Sequence, residues 1–175
     1  MRDLEDIKLR YSFEDDGEEW KYRELREAAQ DLHKLSLQIL KTCRGILETL
    51  PDDESDPLYD CGRLIREEAY KLTPKISAAM ATRNFILMTE NATIVKLAAR
   101  NIQSQTLALE MFDYGNEDYL NTLHDELEAF RMLFVKWVRC FPKDEPVYPD
   151  GWGLYYTHEE VDRWNKLNPD EPVTE

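Results

Sequence analysis

The sequence predicts an all-α protein: an antiparallel helical bundle of about four helices with one long central helix, a short N-terminal extended segment and an aromatic-rich C-terminal extension. Three observations lead to this prediction. Apolar residues recur every three or four positions over most of residues 25–138, which is the period of an amphipathic helix. Proline or glycine separates the periodic stretches at 51–57, 115 and 142. Only six glycines occur in 175 residues, which favours long elements and short connections.

The N-terminal segment has a different period from the rest of the chain. Apolar residues at 7, 9, 11 and 13 alternate with polar ones, the pattern of a half-buried strand. A helix is then expected from about residue 16 to 50, because an acidic first turn leads into an apolar stripe that Pro51 ends. The stripe consists of Leu25, Ala28, Leu32, Leu35, Ile39, Ile46 and Leu50.

The second helix has a clear start and an ambiguous end. Asp56 and Pro57 are a good N-cap and a proline at the first helical position. Its apolar side is formed by Leu58, Cys61, Ile65, Ala69 and Leu72. Pro74 then either kinks this helix or breaks it, with Thr73 capping a new one, because proline in a helix interior costs about 3 kcal/mol or more.

From Lys75 to Gly115 the chain contains no proline and no other glycine, and its apolar phase is unbroken. One stripe is Phe85, Met88, Ala92, Val95, Ala99, Ile102, Thr106 and Leu109, and a polar side contains Thr89, Thr93, Lys96, Arg100, Gln103 and Glu110. This pattern predicts a single helix from about 75 to 113. Gly115 is expected to end it and Asn116 to cap the last long helix, which runs to about Cys140.

The sequence divides into a bundle domain, residues 1–142 including the N-terminal arm, and a C-terminal extension, residues 143–175. In the extension Thr157 and Glu160 match a capping box, so a short helix with Val161, Trp164 and Leu167 should follow. Aromatic residues are dense here, and we expect the extension to pack on the bundle. Residues 154–156 are also placed to pair with the N-terminal strand.

The net charge of −14 disfavours nonspecific binding to nucleic acid or to anionic membranes, since both depend on clustered lysine and arginine. The middle of the chain differs, because residues 61–113 hold 7 basic and 5 acidic side chains. The charged N-terminus lacks the apolar core of a signal peptide, and three widely spaced cysteines suit a reducing compartment. We therefore expect a cytoplasmic protein without a membrane segment.

Residues 91–105 carry only two charges, Lys96 and Arg100, in a chain that is one-third charged. Here a second stripe lies beside the first and is made of Leu87, Asn91, Ile94, Ala98, Asn101, Gln105, Ala108 and Phe112. Two apolar stripes predict a helix wrapped by other helices. The carboxamides in the second stripe then have three interpretations: an interior polar network, a subunit interface, or a small-ligand pocket between helices.

Motifs for catalysis or cofactor binding are not found in the sequence. The histidines lack the Glu-x-x-His spacing of di-iron bundles, His124, Asp125 and Glu126 diverge around a helix, and no phosphate-binding glycine loop occurs. We therefore assign no catalytic residue, no metal site and no cofactor. Among the thiols, Cys61 is the best candidate for a low pKa, because it lies near a helix N-terminus and beside Arg63.

These observations favour a non-enzymatic helical bundle that acts through protein–protein contacts, with self-association along the central helix as the first expectation. The candidate binding or interface residues are Asn84, Asn91, Asn101, Gln105, Arg83, Arg100, Trp152 and Trp164. Two alternatives stay open at this point. One is a ligand-binding or enzymatic bundle that uses interior Asn, Gln and Arg groups, and the other is an acidic mimic of nucleic acid that inhibits a basic protein.

Overall fold

The computed structural model describes residues 9, 19–143, 158–167 and 169. A short 3-10 helix at Glu19–Tyr22 leads into α1, Arg23–Leu47; α2 is Pro57–Met80, α3 is Phe85–Met111, α4 is Glu117–Arg139, and α5 is His158–Leu167. The prediction of an all-α helical bundle is confirmed. Apart from Leu9, which packs against the core, the predicted N-terminal strand and its pairing with 154–156 lie outside the described residues.

The four long helices run up and down in turn. Ser36 of α1 meets Thr73 of α2, and nearer the other end of α1 Arg44 meets Tyr70, so α1 and α2 are antiparallel. Helix α1 also packs on α4, and α2 packs most extensively on α3. Helix α3 touches α4 only lightly, although a short connection makes them neighbours. Three of the four pairs of neighbouring helices are therefore closely packed, and the α3–α4 pair is packed loosely.

Large apolar side chains from all four helices fill the core, among them Leu32, Ile65, Met88 and Phe130. Trp137 is fully buried there, and its indole Nε1–H donates to the Met80 sulfur at 3.4 Å. The Phe134 and Phe141 rings meet it edge to face, at centroid distances of 5.9 and 4.8 Å, which is a favourable arrangement for aromatic pairs. The C-terminal end of α4 is thereby fixed to the core.

Pro74 lies inside α2, which continues through it to Met80. The chain breaks after Met80 instead, so the prediction of a single helix over 75–113 is wrong. The chain turns at 81–84, where the Asn84 side chain accepts from the N–H groups of Ile86 and Leu87 at 2.9 and 3.2 Å. These two bonds satisfy donors that a new helix would otherwise leave free. Residues 75–80 therefore belong to α2 and not to α3.

Candidate functional site: the solvent side of helix α3

Helix α3 differs from the other three bundle helices in carrying few charged side chains. From Asn84 to Phe112 it carries four, Glu90, Lys96, Arg100 and Glu110. Here only one side packs on α2, with Met88, Val95, Ile102 and Leu109 among its fully buried residues.

The opposite side of α3 leaves large apolar groups in solvent. Leu97 is 51% exposed, Leu107 is 49% exposed and Met111 is 85% exposed; we call these three residues the outer stripe. Leu97 and Met111 are separated by two heptads, with the small residue Ser104 midway between them. Residues seven apart lie on the same side of a helix, so Leu97 and Met111 share one ridge, and Leu107 lies one turn before Met111.

Beside the outer stripe, α3 and α4 enclose a groove of about 430 Å³, which we call the α3/α4 groove. Its floor is apolar and consists of Ala99, Leu107, Leu127, Phe130, Phe134 and Val135, of which Leu107 also belongs to the outer stripe. Its polar lining consists of Lys96, Arg100, Gln103, His124, Glu128 and Arg131. The groove exists because the side chains of α3 and α4 do not fill the space between the two helices.

Charges on the α4 side of the groove are compensated locally. The Arg131 guanidinium donates to both carboxylate oxygens of Glu128, at 2.6 and 2.7 Å. These hydrogen bonds lower the pKa of Glu128 and raise that of Arg131. His124 Nδ1 lies 3.7 Å from a carboxylate oxygen of Glu110. On the α3 side, Lys96 and Arg100 make no ion pair with any residue between 19 and 143.

The predicted site residues are spread around α3 and do not form one cluster. Asn84 is the N-cap, and the neighbouring Arg83 guanidinium lies over the Tyr22 ring, 5.8 Å from its centroid. Arg100 alone among the predicted residues lines the α3/α4 groove. Trp152 lies outside the described residues, as does the side chain of Trp164, whose backbone is part of α5.

The carboxamides bond to different partners. Asn91 donates to the Leu87 carbonyl of its own helix at 2.8 Å, and Asn101 donates to Glu68 of α2 at 3.3 Å. Gln105 is half-buried. Among the described residues these amides make no hydrogen bond to one another, so they do not form an interior network. The second stripe is only partly covered, because Leu87, Asn101 and Phe112 are exposed.

Apart from Thr106, which belongs to the predicted apolar stripe of α3, the buried polar groups were missed by the sequence patterns. Ser36 and Thr73 share a hydrogen bond of 2.9 Å between α1 and α2. Gln38 donates at 2.8 Å to Glu126, whose other carboxylate oxygen is buried without a hydrogen-bond partner among the described residues. His33 is buried too, and this burial lowers its pKa. The one available signal was Ser36, a serine beside the apolar stripe of α1.

The cysteines offer no activated thiol. Burial, followed by the negative charge of Asp60, raises the pKa of Cys61, so the expectation of a low pKa is wrong: its position near the start of α2 is outweighed by desolvation. Burial and the charge of Glu126 raise the pKa of Cys43 to about 12. Within the described residues, no group of three or more His, Cys, Asp or Glu side chains could hold a metal ion.

The described helices also include none that combines the length and the apolar character needed to cross a membrane. Comparison of the chain with protein-family models, with curated proteins and with solved structures gave no match. Interpretation of the site therefore depends on the geometry of α3 and its neighbours.

Proposed function

We propose that this protein acts through protein–protein contacts, and that a second copy of the chain packs against the outer stripe of α3. The observation that carries this proposal is the exposure of Leu97, Leu107 and Met111 on the solvent side of α3. Covering such groups removes apolar surface from water, which is the main driving force of association. Single exposed apolar residues are common, whereas several on the same side of a helix indicate an interaction site.

The charge distribution favours a second copy as the partner. The chain carries −14 overall, so most of its surface would repel another copy. Between 84 and 112, two acidic residues balance two basic ones. Helix α3 is thus a face on which two copies can meet without a net electrostatic cost.

The residue spacing supports an antiparallel pair of α3 helices related by a two-fold axis at Ser104. In that register Leu97 lies opposite Met111 of the second copy, because each is seven residues from Ser104. Glu110 is level with the segment from Lys96 to Arg100 of the second copy. An isologous interface requires this kind of self-complementarity, and the small Ser104 side chain allows close approach at the centre.

The direct test is the solution mass over a range of protein concentrations, measured by sedimentation or light scattering. We expect a concentration-dependent dimer in the wild type and a monomer in the Leu97→Glu/Met111→Glu double variant, since two carboxylates would have to be buried. Met132→Glu is the matched control, because Met132 is 59% exposed but belongs to α4. A wild type that is monomeric at all concentrations would refute the proposal.

Cysteine cross-linking tests the register. Ser104→Cys should form a disulfide between two copies under mild oxidation, because residues on the two-fold axis approach most closely. Gln103→Cys is the control, since residue 103 lies about 100° around the helix, on the groove side. Mass spectrometry of the cross-linked peptide identifies the joined residues. Equal cross-linking of both variants would contradict the antiparallel register.

A cytoplasmic location is part of the same proposal. All three cysteines are free, and two of them, Cys43 and Cys61, are buried in the core. Free thiols persist in a reducing compartment, whereas secreted domains usually pair theirs. This supports a cytoplasmic assembly protein and does not require catalysis. Expression of a tagged chain with fractionation of the cells would test the location.

A further inference from the structure

We infer that the α3/α4 groove is a binding site for a small amphipathic anion, such as a medium- or long-chain carboxylate. The apolar chain of this ligand would lie along the groove floor, and its head group would meet Lys96 and Arg100. This inference goes beyond the contact between two copies and concerns the side of α3 that faces α4, although Leu107 belongs both to the groove lining and to the outer stripe. It identifies a ligand class that protein–protein association does not require.

The groove is long enough for a chain-like ligand. Its lining on α3 extends from Lys96 to Leu107, a length of about 16 Å at the helical rise of 1.5 Å per residue. This length and the volume of about 430 Å³ accommodate an extended hydrocarbon chain.

The lining matches an apolar ligand body with few polar anchors. Aromatic and aliphatic side chains form the floor, among them the buried Phe130 and the partly buried Phe134. Ala99 widens the groove because its side chain ends at Cβ. Ligand sites between the helices of bundles commonly combine such a floor with a small number of placed polar groups.

The charge of the groove selects an anion. Lys96 and Arg100 are one helical turn apart and lack an ion-pair partner in the part of the chain from 19 to 143. The third cation, Arg131, is already neutralised by Glu128 at 2.6 Å. Two uncompensated positive charges in a chain of net charge −14 are therefore concentrated at one wall. Charge-assisted bonds from lysine and arginine to a carboxylate are among the stronger polar contacts.

Three ligands with the same chain and different head groups test the inference: decanoate, decanol and decylamine, each below its micelle concentration. Their affinities for the full-length protein can be measured by calorimetry or by displacement of a fluorescent fatty acid. We expect decanoate to bind at least about tenfold more tightly than decanol, and decylamine to bind most weakly. This order follows from the two free cations at the groove wall.

Two variants locate the site. Lys96→Gln/Arg100→Gln should lower decanoate affinity about tenfold and leave decanol affinity unchanged, because it removes only the charges. Ala99→Leu should weaken all three ligands by narrowing the groove. Lys34→Gln is the control, since Lys34 is an exposed cation on α1, away from the groove. Circular dichroism confirms that each variant is folded.

Equal affinity for the three head groups would overturn the assignment of an anion, and so would an equal loss of decanoate affinity in Lys34→Gln. Undetectable binding of all three ligands to the wild type would overturn the site itself. The solution mass of Ala99→Leu separates these results from the self-association proposal. That variant keeps the outer stripe and the charges of Lys96 and Arg100, so it should remain a dimer whether or not the groove binds a ligand.

Discussion

Replacement of Pro74 by alanine should make the protein more stable. Pro74 occupies an interior position of α2, and its side chain faces solvent, so alanine removes no core contact. Proline there supplies no N–H for the Tyr70 carbonyl and crowds it, at a cost of about 3 kcal/mol relative to alanine. Proline also restricts the unfolded chain, which offsets about 0.4–1 kcal/mol of that cost. The net gain is therefore about 2 kcal/mol.

Urea unfolding followed by circular dichroism measures this gain. With a slope of about 1–3 kcal/mol per molar urea, the unfolding midpoint should rise by roughly 1 M. The slope itself should not change, because the surface exposed on unfolding is the same. A thermal melt should shift upward as well.

Pro57→Ala is the matched control. Pro57 is the first residue of α2, where no intrahelical N–H bond is lost, so alanine there should only free the unfolded chain and reduce stability slightly. Opposite signs for the two substitutions are the expected result. An unchanged or lower midpoint for Pro74→Ala would show that α2 already accommodates proline without cost, and the reasoning would be refuted.

The remaining predictions concern buried polar groups and one backbone position. Burial lowers the pKa of His33 in the folded state. Below about pH 6.5 the unfolded chain therefore binds a proton that the folded chain does not, and the free energy of unfolding falls as the pH falls. In thermal melts at different pH values, His33→Gln should show a smaller fall. Ser36→Ala should cost about 1–3 kcal/mol by leaving the buried Thr73 hydroxyl unpaired, whereas Ser36→Ala/Thr73→Val should recover much of that loss in urea titrations. Asp113 has a φ of +59°, and Asp113→Gly should raise stability by up to about 1 kcal/mol in the same assay, because glycine has no Cβ penalty there. A pH profile of His33→Gln that equals the wild-type profile would contradict the first argument. Additive losses in Ser36→Ala/Thr73→Val would contradict the second, and a lower stability of Asp113→Gly would contradict the third.

The helices were predictable because apolar periodicity and capping act locally. The Asp56 side chain accepts from the Leu58 N–H at 2.8 Å, as its sequence position indicated. The turn at 81–84 was not predictable from periodicity. Ile76 and Ala79 extend the phase of Ile65, Ala69 and Leu72, so the residues before the turn fit the preceding helix as well as the following one. The capping oxygen of Asn84 decides the boundary, and no glycine or proline marks it.

The end of α3 was not predictable from the sequence pattern either. Gly115 was expected to end it, but the helix ends at Met111, and Asp113 adopts the left-handed backbone there. Aspartate tolerates this conformation better than most residues, and the Tyr114 N–H then donates to the Leu109 carbonyl at 3.0 Å. The sequence indicated Gly115 as the residue that ends the helix. The left-handed residue is instead Asp113, two positions earlier, and the hydrogen bond from Tyr114 to Leu109 closes the helix there.

The candidate site was only partly accessible to sequence reasoning. The weakly charged segment around Asn91 and Asn101 correctly identified α3 as unusual, and Arg100 proved to line the groove. The groove itself lies on the side that the pattern marked as polar, where Lys96, Arg100 and Gln103 recur. Its existence depends on how closely α4 approaches α3, and a distance between two helices is not encoded in the periodicity of either one.

The two sides of α3 can change at different rates. The side that packs on α2 is constrained, since Val95 and Ile102 are fully buried and each substitution there would cost stability. Lys96, Arg100 and Gln103 are exposed and can be exchanged without disturbing the interior. Over evolutionary time, then, what α3 recognises could drift while the architecture that holds it persists.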